Sequence, residues 1–239
     1  MRQAALHYLF TLLFLACGNN LQAKNYIVCV GISDYPGTKS DLNLSANDAT
    51  TIKKLYEKNG HAETRLLTNE QATVENVKET LRSLYSQASS NDAIVFFFSG
   101  HGTPGSFVCH DGLLPYNALT TIMAACPTKT KMVFADACYS GQARKENTHK
   151  KPREDKQVMF FLSSRTNETS IEQISWKNGF FTAYLERGLR GGADNNKDKT
   201  ITARELFEFV SQGVQATTRG RQHPVMWGNF DNEMPVMKW

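Results

Sequence analysis

Hydrophobic residues along the chain form short uninterrupted runs, and between these runs the apolar positions recur at helical spacing. The clearest runs are closed by turn residues and span 26–32, 93–98, 132–135 and 158–162. Continuous apolar runs of this length are typical of strands that are buried on both faces of a parallel sheet. The intervening segments are amphipathic, as in a helix predicted over 45–58, and the alternation predicts an α/β fold: a three-layer αβα sandwich with a mostly parallel central sheet.

The same patterns predict the remaining elements. Thr73 is a suitable N-cap for a helix whose apolar positions come after it, and Pro127 ends another. We expect residues 103–105, Thr-Pro-Gly, to form a mobile loop. The other predicted elements are strands at 63–67, 107–109 and 224–227 and helices at 116–125, 180–189 and 203–214.

The first 23 residues have the character of a secretory signal. Arg2 precedes an apolar stretch at 8–16 that is too short to span a bilayer. We predict a signal peptide over 1–23, cleaved after Ala23, and therefore an exported protein, either periplasmic or secreted. The alternative is a lipoprotein signal in which Cys17 is the acylated residue. No later segment is long and apolar enough for a membrane span.

Size and charge restrict the interpretation of the chain after the leader. Residues 24–239 suit one α/β domain with a substantial core. The formal net charge is only +4, with acids and bases interspersed, which argues against nucleic acid as a partner. The segment 142–157 is hydrophilic throughout and rich in Lys and Arg, so we interpret it as an exposed basic linker.

Two of the predicted strands end in residues that could carry chemistry. The strand at 93–98 is followed by Ser99-Gly100-His101-Gly102, and the strand at 132–135 by Asp136-Ala137-Cys138-Tyr139-Ser140-Gly141. Reactive crevices of parallel sheets lie beyond the carboxyl ends of the strands. A lone cysteine is usually a buried hydrophobe and a lone histidine a surface residue. Placed together at neighbouring strand ends, they predict a thiol nucleophile and its imidazole base.

This pair of motifs resembles the caspase/metacaspase family of cysteine peptidases, in particular its bacterial metacaspase-like branch. Further resemblance lies in the segments 31–35, 46–49, 179–185 and 194–205, in the expected order. The resemblance implies a caspase-like fold and a cysteine endopeptidase with a Cys138/His101 dyad. It also implies an oxyanion hole made by the backbone N–H groups of Gly102 and Cys138.

The resemblance further implies a preference for basic residues. Metacaspases, which cut after Arg or Lys, carry acids at the positions of Asp48 and Asp136, and two convergent carboxylates would bind a cationic side chain and reject an anionic one. The ordinary alternatives are a helix-cap or surface role for Asp48 and a strand-end hydrogen bond for Asp136. Ser45 stands where many metacaspases have a second cysteine. The expected partners are therefore proteins or peptides with basic residues; no oligomeric state is predicted.

In relatives the chain is cut just after the nucleophile into large and small subunits. The corresponding parts here are 24–141 and 158–239, separated by the linker 142–157. The basic residues of the linker would suit the predicted pocket, so self-processing is a hypothesis. A solvated loop that is never cut is the alternative.

A polar turn near the carboxyl terminus is similar to a calcium loop. Residues at positions 1, 3, 5, 7 and 12 of an EF-hand-like pattern are Asp194, Asn196, Asp198, Thr200 and Glu205. However, Lys199 occupies the position where the sharp turn favours glycine. The alternative is a helix start, with Thr202 and Glu205 as a capping box. We expect no required cofactor, with calcium at this turn or at another acidic site as the one candidate.

Two other functional hypotheses remain open from the sequence. One is a non-catalytic caspase-fold domain for binding or regulation, although inactive relatives usually lose the histidine or the cysteine. The other is a gingipain- or clostripain-like peptidase of the same clan, which the resemblance of the carboxyl-terminal part disfavours.

Overall fold

The computed structural model of the protein describes residues 23–137, 158–164 and 177–238. The predicted signal peptide up to residue 22, with Cys17, lies outside the described residues. So do Cys138 and the linker 142–157.

The order of elements agrees with the predicted alternation of strands and helices. The strands are β1 Asn25–Gly31, β2 Ala62–Thr68, β3 Ala93–Gly100, β4 Gly102–Thr103, β5 Ser106–Val108, β6 Leu113–Pro115, β7 Thr130–Ala137, β8 Met159–Leu162, β9 Thr200–Thr202, β10 Val225–Gly228 and β11 Pro235–Lys238. The helices are α1 Ser45–Lys58, α2 Val74–Tyr85, α3 Tyr116–Ala124, α4 Phe180–Arg187 and α5 Ala203–Thr217.

A six-stranded sheet forms the centre of the fold, in the order β10-β8-β7-β3-β1-β2. Its strands pair in parallel, apart from β10, which is antiparallel to β8. Successive side chains of a strand point to opposite faces. Val28 and Phe96 therefore belong to one buried cluster, with residues of α2 and α3, whereas Ile27 and Val95 belong to a second cluster with residues of α1, α4 and α5. This arrangement confirms the predicted three-layer αβα sandwich.

The helix boundaries have local causes that the sequence already shows. α1 spans the predicted residues, and its positions Ala49, Ile52, Leu55 and Tyr56 are buried. The Thr73 side chain accepts a hydrogen bond from the Asn76 N–H at the start of α2. Thr202 and Glu205 form a capping box at the start of α5, as the pattern of a helix start predicts.

Two short features differ from the predictions. Residues 102–108 form a hairpin of β4 and β5, in which Pro104 and Gly105 make the turn and Gly105 has a φ of 83°. The predicted loop at 103–105 is thus the tight turn of a hairpin, for which Pro-Gly is a favourable sequence, and its mobility stays a prediction. The second feature is β11, which pairs with β9 and was not predicted, since four residues carry too little pattern.

The connections bring the motif-bearing strand ends together. Within the sheet, β2 is the neighbour of β1 on one side and β3 is its neighbour on the other. The strand order therefore reverses direction at β1, and β1 and β3 flank a topological switch point. In the register of β3 with β7, Ser99 is paired with Asp136 and Gly100 with Ala137. Among the described residues, no helix has the length and apolar character needed to cross a membrane.

Candidate active site

His101 comes directly after β3, and two contacts define its position. Its backbone N–H donates to the hydroxyl of Tyr35 at 2.9 Å, and its Nε2 lies 2.7 Å from the carbonyl oxygen of Ser40. Because a carbonyl oxygen can only accept, Nε2 must carry the proton in this contact. In the neutral imidazole, Nδ1 is then the nitrogen that can accept a proton.

The sheet register relates His101 to Cys138 through their neighbours in sequence. Gly100 precedes His101 and Ala137 precedes Cys138, and these two residues are register partners on adjacent parallel strands. Neighbouring strands lie about 4.8 Å apart. The described strand ends at Gly100 and Ala137 therefore lie side by side, and Cys138 lies outside the described residues.

Gly102, the predicted oxyanion donor, begins the hairpin strand β4. It is paired with Phe107, and the adjacent ladder bond runs from the Val108 N–H to the His101 carbonyl. In an antiparallel pair this pattern makes Gly102 a non-hydrogen-bonded position. Its N–H therefore points away from β5.

Asp48 lies in the first turn of α1 and is buried, with 1% of its surface exposed. Its Oδ2 accepts from the Ser99 hydroxyl at 2.9 Å. Its Oδ1 accepts from the side-chain amide of Asn178 at 2.8 Å and from the N–H of Gly179 at 3.1 Å. The surface alternative for this residue is thus excluded.

Asp136, near the end of β7, is the second buried carboxylate. Its Oδ2 accepts from the hydroxyl of Thr182 at 3.0 Å and from the backbone N–H of the same residue at 3.3 Å. Thr182 lies in the first turn of α4, where free N–H groups favour an anion.

The two carboxylates converge on Gly179. A methyl carbon built on Gly179 would lie 2.5 Å from Oδ2 of Asp136 and 3.4 Å from Oδ2 of Asp48. The side chains of Asp48 and Asp136 therefore approach each other on one side of the sheet, and their role in binding substrate stays a prediction. A residue larger than glycine at 179 would intrude on the carboxylates.

Burial and proximity affect the ionisation of Asp48. Burial raises the pKa of Asp48 well above its usual range, and the nearby charge of Asp136 raises it further. Hydrogen bonds from Asn178, Ser99 and Gly179 oppose this by stabilising the carboxylate. A cation placed between the two groups would favour the ionised form of both.

Sequence reasoning missed several residues of this site. Ser99 and Tyr35 stand inside motifs that were recognised, and Asn178 directly precedes the recognised segment that begins at Gly179. Ser40 contributes only a backbone carbonyl, for which no side-chain signal exists. Thr182 is also in a recognised segment, but its contact with Asp136 depends on how α4 docks.

The turn at 194–205 is closed by its own hydrogen bonds. Asp194 accepts from the backbone N–H groups of Asp198 and Lys199, at 3.2 and 3.1 Å, and Glu205 accepts from that of Thr202. Lys199 takes the left-handed conformation, with a φ of 64°, that the calcium-loop pattern assigns to glycine. Within 23–137, 158–164 and 177–238, no group of three or more His, Cys, Asp or Glu side chains is arranged to hold a metal ion. Calcium at this turn stays a prediction.

Three other cysteines belong to the core. Cys29, Cys109 and Cys126 are buried and free. Burial raises the pKa of the Cys29 thiol and raises that of Cys109 to about 12. A thiol reacts as its thiolate, so burial makes Cys29 and Cys109 unreactive.

Comparison with known proteins points to one family. Metacaspase-4 of Arabidopsis thaliana is 28% identical over 263 aligned residues, which cover 88% of this chain and 63% of the plant protein. Metacaspase-1 of Candida albicans is 29% identical over 92 residues, covering 35% of this chain and 20% of the yeast protein. The chain thus spans less than two thirds of the length of these curated relatives.

Solved structures share the fold at low sequence identity. A protein from Geobacter sulfurreducens superposes with a TM-score of 0.70 at 16% identity, covering 90% of this chain and 99% of that one. Caspase-1 of Spodoptera frugiperda superposes with a TM-score of 0.66 at 13% identity, covering 90% of each chain. A family model of the caspase domain of cysteine peptidases matches residues 24–233. The chain therefore belongs to the caspase domain family of cysteine peptidases.

Proposed function

We propose that the protein is a cysteine endopeptidase that hydrolyses peptide bonds after Arg or Lys, with Cys138 as nucleophile and His101 as proton carrier. The observation that carries the specificity is the pair of buried carboxylates, Asp48 and Asp136, facing Gly179 beside the strand ends that lead to the dyad.

The chemistry begins with proton transfer within the dyad. The Cys138 thiol gives its proton to Nδ1 of His101, whose Nε2–H stays bound to the Ser40 carbonyl. The thiolate attacks the carbonyl carbon of the scissile bond, and the N–H groups of Gly102 and Cys138 stabilise the oxyanion. The imidazolium then protonates the leaving amine, and an acyl-enzyme remains.

Water completes the cycle. His101 takes a proton from the water as its oxygen attacks the thioester, and the thiolate leaves as the carboxylic product forms. The imidazolium then returns its proton to the thiolate. General acid–base assistance of this kind contributes roughly 10²- to 10⁴-fold.

The carboxylate pair accounts for the choice of substrate. A guanidinium or ammonium group between Asp48 and Asp136 would attract both carboxylates and reduce the repulsion between them in a buried site. An aspartate side chain would add a third negative charge to the same site, which disfavours cleavage after acidic residues.

The test is a panel of fluorogenic peptides that differ only in the residue before the scissile bond. We expect cleavage after Arg and Lys, loss of activity in Cys138→Ala and His101→Ala, and a drop of about 10²-fold or more in kcat/KM in Asp136→Asn because a buried charge partner is lost. Faster cleavage after Asp than after Arg would refute the specificity. Full activity in Cys138→Ala would refute the nucleophile.

The same preparations test self-processing. If the linker 142–157 is cut by the enzyme itself, mass spectrometry will find fragments in the wild type and none in Cys138→Ala. Fragments in both would exclude self-processing and leave the peptidase assignment untouched.

A further inference from the structure

Tyr35 lies in the connection between β1 and α1, and its side chain contacts the candidate catalytic histidine in two ways. Its hydroxyl accepts the hydrogen bond from the backbone N–H of His101 at 2.9 Å. Its ring centroid lies 4.8 Å from that of the imidazole, with an angle of 44° between the planes. Only 5% of Tyr35 is exposed, so these contacts are shielded from water.

The hydroxyl joins the end of β3 to the hairpin. While it accepts from His101, it donates to the carbonyl of Val108 in β5 at 3.1 Å. Burial raises the pKa of the Tyr35 hydroxyl, so the group stays protonated and keeps both hydrogen bonds at neutral and moderately alkaline pH. The hydroxyl thus fixes where the backbone of residue 101 leaves the sheet.

Gly100 provides the space that this arrangement needs. A methyl carbon built on Gly100 would lie 2.7 Å from the Tyr35 hydroxyl oxygen and 3.0 Å from the ring of Phe98. Any side chain at position 100 would therefore displace the hydroxyl from between His101 and Val108. The glycine before the histidine has this steric role.

The loop that carries Tyr35 also supplies the acceptor for the far side of the imidazole. The Ser40 carbonyl binds Nε2 of His101 at 2.7 Å. The loop is held by side chains on both of its flanks: Asp41 accepts from the Tyr35 N–H at 3.1 Å, and Asn69 accepts from the N–H of Ser33 at 2.9 Å. The Tyr35 ring and the Ser40 carbonyl therefore contact His101 from one fixed loop.

We propose that Tyr35 is a positioning residue that aligns the imidazole of His101 for proton transfer with the catalytic thiol. This inference rests on the proposed function, because it assigns a role within the same dyad. A misplacement of about 1 Å can cost about 10²-fold in rate, so alignment of this kind is a sizeable part of catalysis. In this role Tyr35 takes no direct part in the chemistry and acts through His101.

The experiment compares Tyr35→Phe with Tyr85→Phe. The control removes a similar group, because the Tyr85 hydroxyl is buried and donates to the Val95 carbonyl at 2.6 Å, away from the strand ends. We expect Tyr35→Phe to lower kcat about tenfold on an arginyl substrate with KM changed less than twofold. Tyr85→Phe should lower the melting temperature and leave kcat unchanged.

The second measurement is the alkylation of Cys138 by iodoacetamide. Its pH dependence would not change if Tyr35 only stabilised the fold. In the wild type, the dependence of the alkylation rate on pH shows how far His101 stabilises the thiolate of Cys138. In Tyr35→Phe we expect the midpoint to shift upward, toward about 8.5 for an unassisted thiol, and in Tyr85→Phe to stay at the wild-type value. A wild-type kcat and profile in folded Tyr35→Phe would overturn the proposal.

Two further arms keep the test decisive. Gly100→Ala displaces the hydroxyl without deleting it and also strains the backbone before His101, where φ is 158°. It should therefore lower kcat and shift the profile at least as far as Tyr35→Phe, and a wild-type profile in Gly100→Ala would also overturn the proposal. Alkylation needs no substrate, so failure of the wild type to cleave any peptide would refute the proposed function and leave the alignment of the dyad measurable.

Discussion

Two buried carboxylates at the strand ends depend on small neighbouring residues for their placement. Asp48 has three donors around it and Asp136 has the hydroxyl and the N–H of Thr182. Gly179 separates them without filling the space between them. The placement of the two carboxylates therefore depends on residues that carry no charge.

Substitution of Gly179 tests this dependence. A methyl group in Gly179→Ala would lie 2.5 Å from Oδ2 of Asp136, so the Asp136 carboxylate must shift, whereas Oδ2 of Asp48 at 3.4 Å would be in ordinary contact. We expect a tenfold or greater rise in KM for an arginyl peptide and a loss of about 1–3 kcal/mol in unfolding free energy from overpacking. Kinetics and thermal melting measure the two effects.

Gly112→Ala is the matched control, because its methyl group would meet nothing closer than a methyl carbon of Val74 at 3.6 Å. It should leave KM and stability nearly unchanged. The alkylation rate of Cys138 should be the same in both variants, since the change affects the pocket and not the thiol. A wild-type KM in Gly179→Ala would show that the substrate cation binds elsewhere.

The raised pKa of Asp48 predicts how stability responds to pH. An unfolded aspartate loses its proton near pH 3.9. In the folded protein Asp48 keeps its proton to a higher pH, because burial and Asp136 disfavour the charge. Between the two pKa values the folded state binds more protons than the unfolded state. The free energy of unfolding therefore decreases as the pH rises through this range.

Replacing the carboxyl by an amide removes that dependence. We expect Asp48→Asn to gain stability relative to the wild type on going from about pH 4 to about pH 8, by about 1.4 kcal/mol for each unit of raised pKa. Urea unfolding at several pH values measures it. A constant difference between the two proteins would mean that Asp48 ionises normally in the fold.

At the scale of elements, the sequence predicts most of the architecture because burial leaves a strong pattern. The inner strands of the central sheet, β1, β3, β7 and β8, are buried on both faces and contain runs such as 93–98, and α1 has a regular apolar stripe. The hairpin β4–β5 and the pair β9–β11 are shorter and only partly buried, so turn chemistry and tertiary contacts determine them instead.

The candidate site was predictable only in part, for a related reason. His101, Asp48 and Asp136 could be found because their types and positions in recognised motifs indicate chemistry. The Ser40 carbonyl belongs to the backbone that every residue has, and Asn178 reaches Asp48 across 130 positions of sequence. Such contacts result from the packing of α1 against the segment before α4, which no local pattern encodes.

At the scale of the whole molecule, the parts before and after the linker form one body. β7 pairs with β8 across it, and both hydrophobic clusters contain residues from each part. The contacts of Asp48 with Asn178 and of Asp136 with Thr182 also join the two parts. The pocket is thus complete only when both parts are docked.

After cleavage of the linker, the two fragments should therefore stay associated. In a Cys138→Ala background, a site for a specific protease inserted between residues 148 and 149 allows one defined cut. We expect the two fragments to co-elute in gel filtration, because β7 pairs with β8 and both hydrophobic clusters contain residues from each part. They should separate only in denaturant.

The uncut protein with the same insertion is the control for elution volume and melting temperature. Fragments that elute apart in buffer alone would show that the linker, and not the shared core, keeps the two parts together.

The pairing of β3 with β7 limits where the sequence can gain or lose residues. Deleting one residue from either strand would shift the chain beyond it by about 3.3 Å and exchange the sides on which its side chains lie. Phe134 would then have to leave one hydrophobic cluster for the other. Insertions and deletions are thus confined to the loops, and the two motifs keep their places at adjacent strand ends because burial of β3 and β7 penalises every other register.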